Sequence, residues 1–142
     1  MADWRANLNT FFEQADQDEQ KKELPPFARF IRDVAVPAYQ ELKGEMERHG
    51  RQVTIRESDS SATISVSQAG AEEITYRLQE RLFVDRTLPY AEIRVRERKG
   101  LRLITVESML RSGQPDYALE DITSDEIIRN FLQHYMTRVK PR

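Results

Sequence analysis

Apolar residues recur along this chain with two different periods. Trp4, Leu8, Phe11, Phe12 and Ala15 fall three or four apart and share one face of a helix, with Asp3 as its N-cap. The polar run Asp16 to Lys22 contains no apolar residue and ends or exposes that helix. A second stripe, Phe27, Ile31, Val34, Ala38, Leu42 and Met46, follows Pro25-Pro26, where proline suits the first helical turn. Pro37 lies inside this stripe. It removes the bond to the Asp33 carbonyl and predicts a kink or a break. Gly50 supplies a C-terminal stop, with Arg48 and His49 favourable at the negative helix end.

The period then changes to two. Val53 and Ile55, then Ala62, Ile64 and Val66, then Ile74, Tyr76 and Leu78, then Ala91, Ile93 and Val95 alternate with polar residues, and a fifth strand covers roughly 101–109. Short turn segments at Ser58-Asp59-Ser60, Ala69-Gly70, Asp85 to Pro89 and Lys99-Gly100 separate them, which favours an antiparallel meander. A last helix opens with a capping box, Thr123 and Glu126, and a hydrophobic staple, Ile122 and Ile127. Its apolar face is Ile128, Phe131, Leu132, Tyr135 and Val139. The expected fold is α+β: N-terminal helices (1–50) and a C-terminal helix (122–140) on one face of a five-stranded sheet (51–110). With 142 residues and 39% hydrophobic content, the chain reads as one domain over 1–142.

Helices on one side leave the other face of the sheet to explain. Alternation places Thr54, Arg56, Thr63, Ser65, Arg77, Arg81, Arg94 and Arg96 there, and Phe83 at its end. The register of the last hairpin decides which aliphatic residues join them. A three-residue loop with Gly100 left-handed puts Leu101 and Leu103 on the core face and Ile104 and Val106 outside; a two-residue loop does the reverse. Lysine is a poor first residue for a type I′ turn, so the three-residue loop is expected. Arginines mixed with aliphatics suit a contact surface. The alternative is a solvated face of cross-strand pairs with Glu57, Glu73 and Glu92.

Charge adds to this picture. The net charge is −2, yet residues 51–113 carry 11 bases against 9 acids, while residues 1–50 carry 7 against 10. The near-balance averages acidic helices against an arginine-bearing sheet, and it excludes a protein that is basic overall. Zero cysteines exclude a disulfide framework and a thiolate metal site. The start, Met1-Ala2-Asp3-Trp4-Arg5, lacks a secretory pattern, the end carries no lipidation signal and no apolar run approaches 18 residues, so a cytoplasmic setting without a membrane role is expected. The first helix has an acidic polar face, which disfavours anionic lipid and favours core packing or helix pairing for its aromatics.

Catalytic signatures are sparse. The five glycines form neither a dinucleotide fingerprint nor a phosphate loop. His49 and His134 lie on different helices without ligand spacing, and Ser65 and Ser67 lack a nucleophile elbow. No cofactor or metal is expected. Glu80 and Glu97 have inward parity, and a carboxylate pair beneath the helices would suit acid–base work beside Tyr76. Three readings follow. The first is a non-enzymatic interaction or regulatory module, homodimeric through Arg77, Arg81, Arg94, Arg96, Ile104 and Val106. The second is an anion or single-stranded nucleic-acid binder using the same arginines, with Tyr90 available for stacking. The third is a small enzyme or ligand pocket between sheet and helices.

Overall fold

The period-two segments pair in the order of the chain. In the computed structural model, which describes residues 3–21, 24–96 and 103–139, β1 (Gln52–Glu57), β2 (Ser61–Gln68), β3 (Ala71–Leu82), β4 (Thr87–Arg96) and β5 (Leu103–Met109) form one antiparallel meander. The inward residues Ala62, Ile64, Val66, Ile74, Tyr76, Leu78, Ala91, Ile93 and Val95 are buried and form the floor of the core. Each large aliphatic buried this way stabilises the fold by roughly 1.5–3 kcal/mol. The architecture is therefore the expected α+β arrangement, with helices against the sheet.

Pro37 does not split the second helix; it is preceded by a change of helical type. Between α2 (Pro26–Phe30) and α3 (Val36–Arg48), residues Ile31–Ala35 form a π-helical turn, and the Val36 N–H donates to the Ile31 carbonyl. The wider turn absorbs the donor that proline lacks, so the helical backbone runs through to Arg48. It also shifts the phase of the buried stripe. Val34 is only half-buried, and Ala35 and Tyr39 take the core positions instead. The helix ends at Gly50, whose φ of +79° suits glycine. There the Gly50 and Arg51 N–H groups donate to the Glu47 and Met46 carbonyls, each at 3.1 Å.

The helix α4 (Ser124–Arg138) begins as its capping pattern predicts. The Glu126 N–H donates to Thr123 Oγ1 at 3.3 Å, and the Thr123 N–H donates to Glu126 Oε2 at 2.8 Å. Ile122 and Ile127 are both buried around this cap. The Ser124 hydroxyl donates to the Val34 carbonyl (2.8 Å), which ties the start of α4 to the π-helical turn.

Three aromatic rings and one amide lock the layers together. Tyr76 meets Tyr39 from α3 edge-on at 6.2 Å and Phe131 from α4 at 5.6 Å between ring centroids. The Tyr39 hydroxyl donates to the Ala62 carbonyl at 2.9 Å, and the Tyr76 hydroxyl donates to Asn130 Oδ1 at 2.7 Å. Asn130 Nδ2 in turn donates to Ser108 Oγ on β5 at 3.3 Å. Burial pushes both tyrosine hydroxyls well above their usual pKa, so they stay protonated as donors.

The first helix, α1 (Trp4–Lys21), departs from expectation. It continues through the polar run to Lys21, so of the two expectations for that run the helix does not end there. Its aromatic face does not pack into the core: every side chain from Trp4 to Ala15 is exposed.

Phe131→Ala is expected to destabilise the fold by about 3–5 kcal/mol through the cavity it leaves. Tyr76→Phe, which strips Asn130 of its donor, is expected to cost about 1–3 kcal/mol. Urea unfolding followed by circular dichroism measures both.

Candidate functional site on the outer face of the sheet

The strand register determines which side chains meet on the face away from the helices. One cross-strand row reads Arg56, Thr63, Arg77, Glu92 and Glu107, and the next reads Thr54, Ser65, Thr75, Arg94 and Thr105. Arg56 and Arg77 thus flank Thr63, with backbones roughly 10 Å apart. A shallow hollow of about 610 Å³ lies over these rows, walled by Arg56, Arg77 and Arg94, by Glu57, Glu72 and Glu92, and by serine and threonine hydroxyls.

Most charges here are already engaged. Arg94 pairs with Glu72 at 3.0 Å, and Glu72 also accepts from the Thr75 hydroxyl at 2.6 Å. Burial opposes ionisation of Glu72, but the Arg94 and Thr75 hydrogen bonds prevail and hold its pKa below the usual range. Arg81 pairs with Glu107 at 3.0 Å and lies over the Tyr90 ring at 4.2 Å. Gln79 Nε2 donates to Glu92 Oε2 at 3.3 Å. Arg56 and Arg77 are different. Both are exposed, and among the described residues neither forms an ion pair.

Of the six residues expected to form the contact surface, four lie on this face. Arg77, Arg81, Arg94 and Arg96 point outward; Ile104 and Val106 do not. Ile104 pairs with Val95 and Val106 with Ile93, so both face inward and pack against the core, while Leu103 pairs with Arg96 and is exposed. That register is the one a two-residue loop generates. The loop itself, 97–102, lies outside the described residues. The reason is energetic: Ile104 and Val106 are partly buried at the edge of the core, where each gains a share of the roughly 1.5–3 kcal/mol that full burial of such a side chain contributes, and a local turn preference is weaker than the two together.

Glu80 also departs from expectation. It is exposed and not beneath the helices, and Glu97 lies outside the described residues. From Glu80 onward the β3–β4 hairpin loses its regular alternation of burial: Glu80 and Leu82 are exposed, whereas Leu88 and Pro89 are both buried and Phe83 packs on the core. Strand twist rotates this long hairpin as it leaves the helix layer, and a 3₁₀ turn, Leu119–Asp121, contacts β4 there. The acid–base pair proposed from parity therefore does not form around Glu80, and the pocket reading loses its chemistry.

One functional-looking cluster escaped the sequence. The register shifts between Val66 and Ser67, which pair with Ile74 and Glu72 and leave Glu73 as the extra residue of a β-bulge. Glu73 consequently turns inward and not toward the outer face. It accepts from Arg51 Nε at 3.2 Å and from the Tyr135 hydroxyl at 2.8 Å, with 11% exposure on both charged side chains. Burial first, then the hydrogen bond to Glu73, push the Tyr135 hydroxyl up to about 12. These three residues join the end of α3, the sheet and α4. They make a structural clamp, and Tyr135 is too weak an acid there to act as a base near neutral pH. His134 is held below its usual pKa by burial and by Arg138. No group of three or more histidine and carboxylate side chains gathers among the described residues. Nor does any described helix have the length and apolarity to cross a membrane.

No family model matches the chain, and no curated protein or solved structure is significantly similar to it.

Glu73→Gln is expected to cost about 3 kcal/mol in urea unfolding, the low end for a buried pair, because Arg51 would keep its charge without a counter-charge. Alkaline titration tests Tyr135. Because its folded pKa lies above the unfolded value near 10, its contribution is complete below pH 10 and is lost as pH rises toward 12. Tyr135→Phe is expected to flatten that part of the decline relative to the parent chain.

Proposed function

We propose that this protein is a non-enzymatic binding module that takes an anionic group, a carboxylate or phosphate of an acidic partner, on the outer face of its sheet. One observation carries the reading. Arg56 and Arg77 flank Thr63 in a polar hollow, and among the described residues they alone of its three arginines have no ion pair. Their guanidinium groups offer uncommitted, fork-shaped donors, and the hydroxyl of Thr63 lies between them. Of the three carboxylates around the hollow, Glu72 is engaged by Arg94 and Thr75 and Glu92 by Gln79, while Glu57 lies on the rim beside Arg56. The setting in this reading is the cytoplasm, an expectation carried by the sequence.

The inward position of Ile104 and Val106 removes the apolar anchors that a homodimer through this face requires, and leaves Leu103 as the aliphatic side chain beside Arg96. Single-stranded nucleic acid fits less well than a simple anion. Base stacking needs open aromatic rings, and Tyr90 already carries Arg81 over its ring.

Titration of isotopically labelled protein with pyrophosphate and with a short polyglutamate at low salt tests the reading. Amide shifts are expected around 54–56, 63–65 and 75–77. Binding is expected to weaken as salt rises, to fall about tenfold for Arg56→Gln or Arg77→Gln alone, and to fall about a hundredfold in the double variant, one charge-assisted contact being lost with each arginine. Shifts confined to other elements, or no shifts with millimolar ligand at low salt, would remove the proposal. An oligonucleotide bound more tightly than polyglutamate of equal charge would favour nucleic acid instead.

A further inference from the structure

We infer that α1 is a self-association helix, and that two copies of the chain pair through it in antiparallel fashion. This inference rests on observations independent of the outer sheet face. Trp4, Leu8, Phe11 and Phe12 are 65%, 47%, 65% and 57% exposed, although they lie together on one helix. The spacing Trp4, Leu8, Phe11, Ala15 is four, three, four, which is the d-a-d-a seam of a two-heptad coiled coil, and Phe12 flanks it. At 18 residues the helix is only a little longer than the limit at which even alanine-rich isolated helices become marginal in water, and Asn7, Asn9 and Thr10 are weak helix formers. The helix therefore needs a packing partner that its own core does not supply.

The area involved matches a second copy. With side chains of this size, the exposed apolar surface is roughly 500 Å² per chain. Two helices face to face would bury at most about 1,000 Å², the lower limit for a specific interface, so the dimer is expected to be weak and concentration-dependent. Charge sets the orientation. Three acids, Asp16, Asp18 and Glu19, follow the seam directly in the sequence, ahead of Lys21 and Lys22. A parallel pair would lay the two acidic runs side by side, whereas an antiparallel pair puts them at opposite ends of the interface. In that alignment Trp4 of one chain meets Ala15 of the other, and Leu8 meets Phe11.

The single tryptophan and the absence of cysteine make the test direct. In sedimentation from about 1 to 100 μM, the full-length chain is expected to move from 16.7 kDa toward twice that mass, with Trp4 emission shifting to the blue as the dimer forms. Phe11→Glu and Leu8→Glu are each expected to remain monomeric with unshifted emission and an unchanged urea midpoint, since neither residue touches the core. Arg56→Gln with Arg77→Gln is expected to leave the dimer intact, which separates this inference from the proposed anion site. A monomer throughout the range overturns it, as does a dimer that survives both glutamate substitutions, or a blue-shifted Trp4 in a monomer. Trp4→Cys mixed with Ala15→Cys is expected to form a disulfide-linked pair. Efficient cross-linking of either variant with itself overturns the antiparallel arrangement.

Discussion

The side chain of Tyr76 joins the three parts of the fold, and its constraints propagate outward. It rises from the central strand β3, meets Tyr39 of α3 and Phe131 of α4 edge-on, and donates a hydrogen bond to Asn130 Oδ1. A buried hydroxyl without a partner is costly, so Asn130 is fixed at one angular position on α4. Asn130 then reaches Ser108 on β5. A polar thread thus spans sheet, helix and edge strand within an otherwise apolar layer. Slipping α4 by one residue would break it at both ends, which is how a small core selects one docking of its helix.

That docking divides the sheet into two unlike surfaces. The helices available to cover it, the Pro26–Arg48 segment and α4, sit on one side. The other side must remain compatible with water, and its sequence is compatible: serine, threonine, arginine and glutamate in successive cross-strand rows. The bulge at Glu73 sharpens the division. It sends one of two consecutive glutamates inward to Arg51 and Tyr135 and keeps the other, Glu72, outside against Arg94. One inserted residue therefore supplies both a clamp beneath the sheet and an engaged carboxylate above it.

Much of this was legible in the sequence because the signals were local. Thr123 and Glu126 announce the start of α4 by their spacing alone, and alternation across 53–95 announces four strands and their inward sets. What escaped depended on residues distant in the chain. The inward turn of Ile104 and Val106 follows from their pairing with Val95 and Ile93, and a local turn preference pointed the other way. The bulge at Glu73 is a property of the β2–β3 pair and leaves no mark in β3 itself. The π-helical turn is an intermediate case. Pro37 announces a disturbance, but whether the helix breaks or widens is settled by packing, since the widened turn is what brings Ala35 and Tyr39 over the sheet. Four of the six expected contact residues, the arginines, were placed correctly, because alternation within one strand suffices to orient them.

The two uncommitted surfaces differ in physical kind, and the difference has a consequence. The outer sheet face offers fixed, solvated donors on a rigid scaffold, where recognition is directional and weakened by salt. The stripe on α1 offers apolar area on a helix outside the core, where recognition depends on burial and responds little to salt. A ligand suited to one is unsuited to the other: an anion gains nothing on Trp4 and Phe11, and an apolar helix laid on the sheet would strip water from Arg56 and Arg77 without replacing it. The two surfaces can therefore be occupied together. Pairing through α1 would leave the outer sheet face of each copy free, and a dimer would then present two copies of the arginine pair to a single acidic partner. In that arrangement bivalency, and not a larger site, would supply the affinity that two guanidinium groups alone do not.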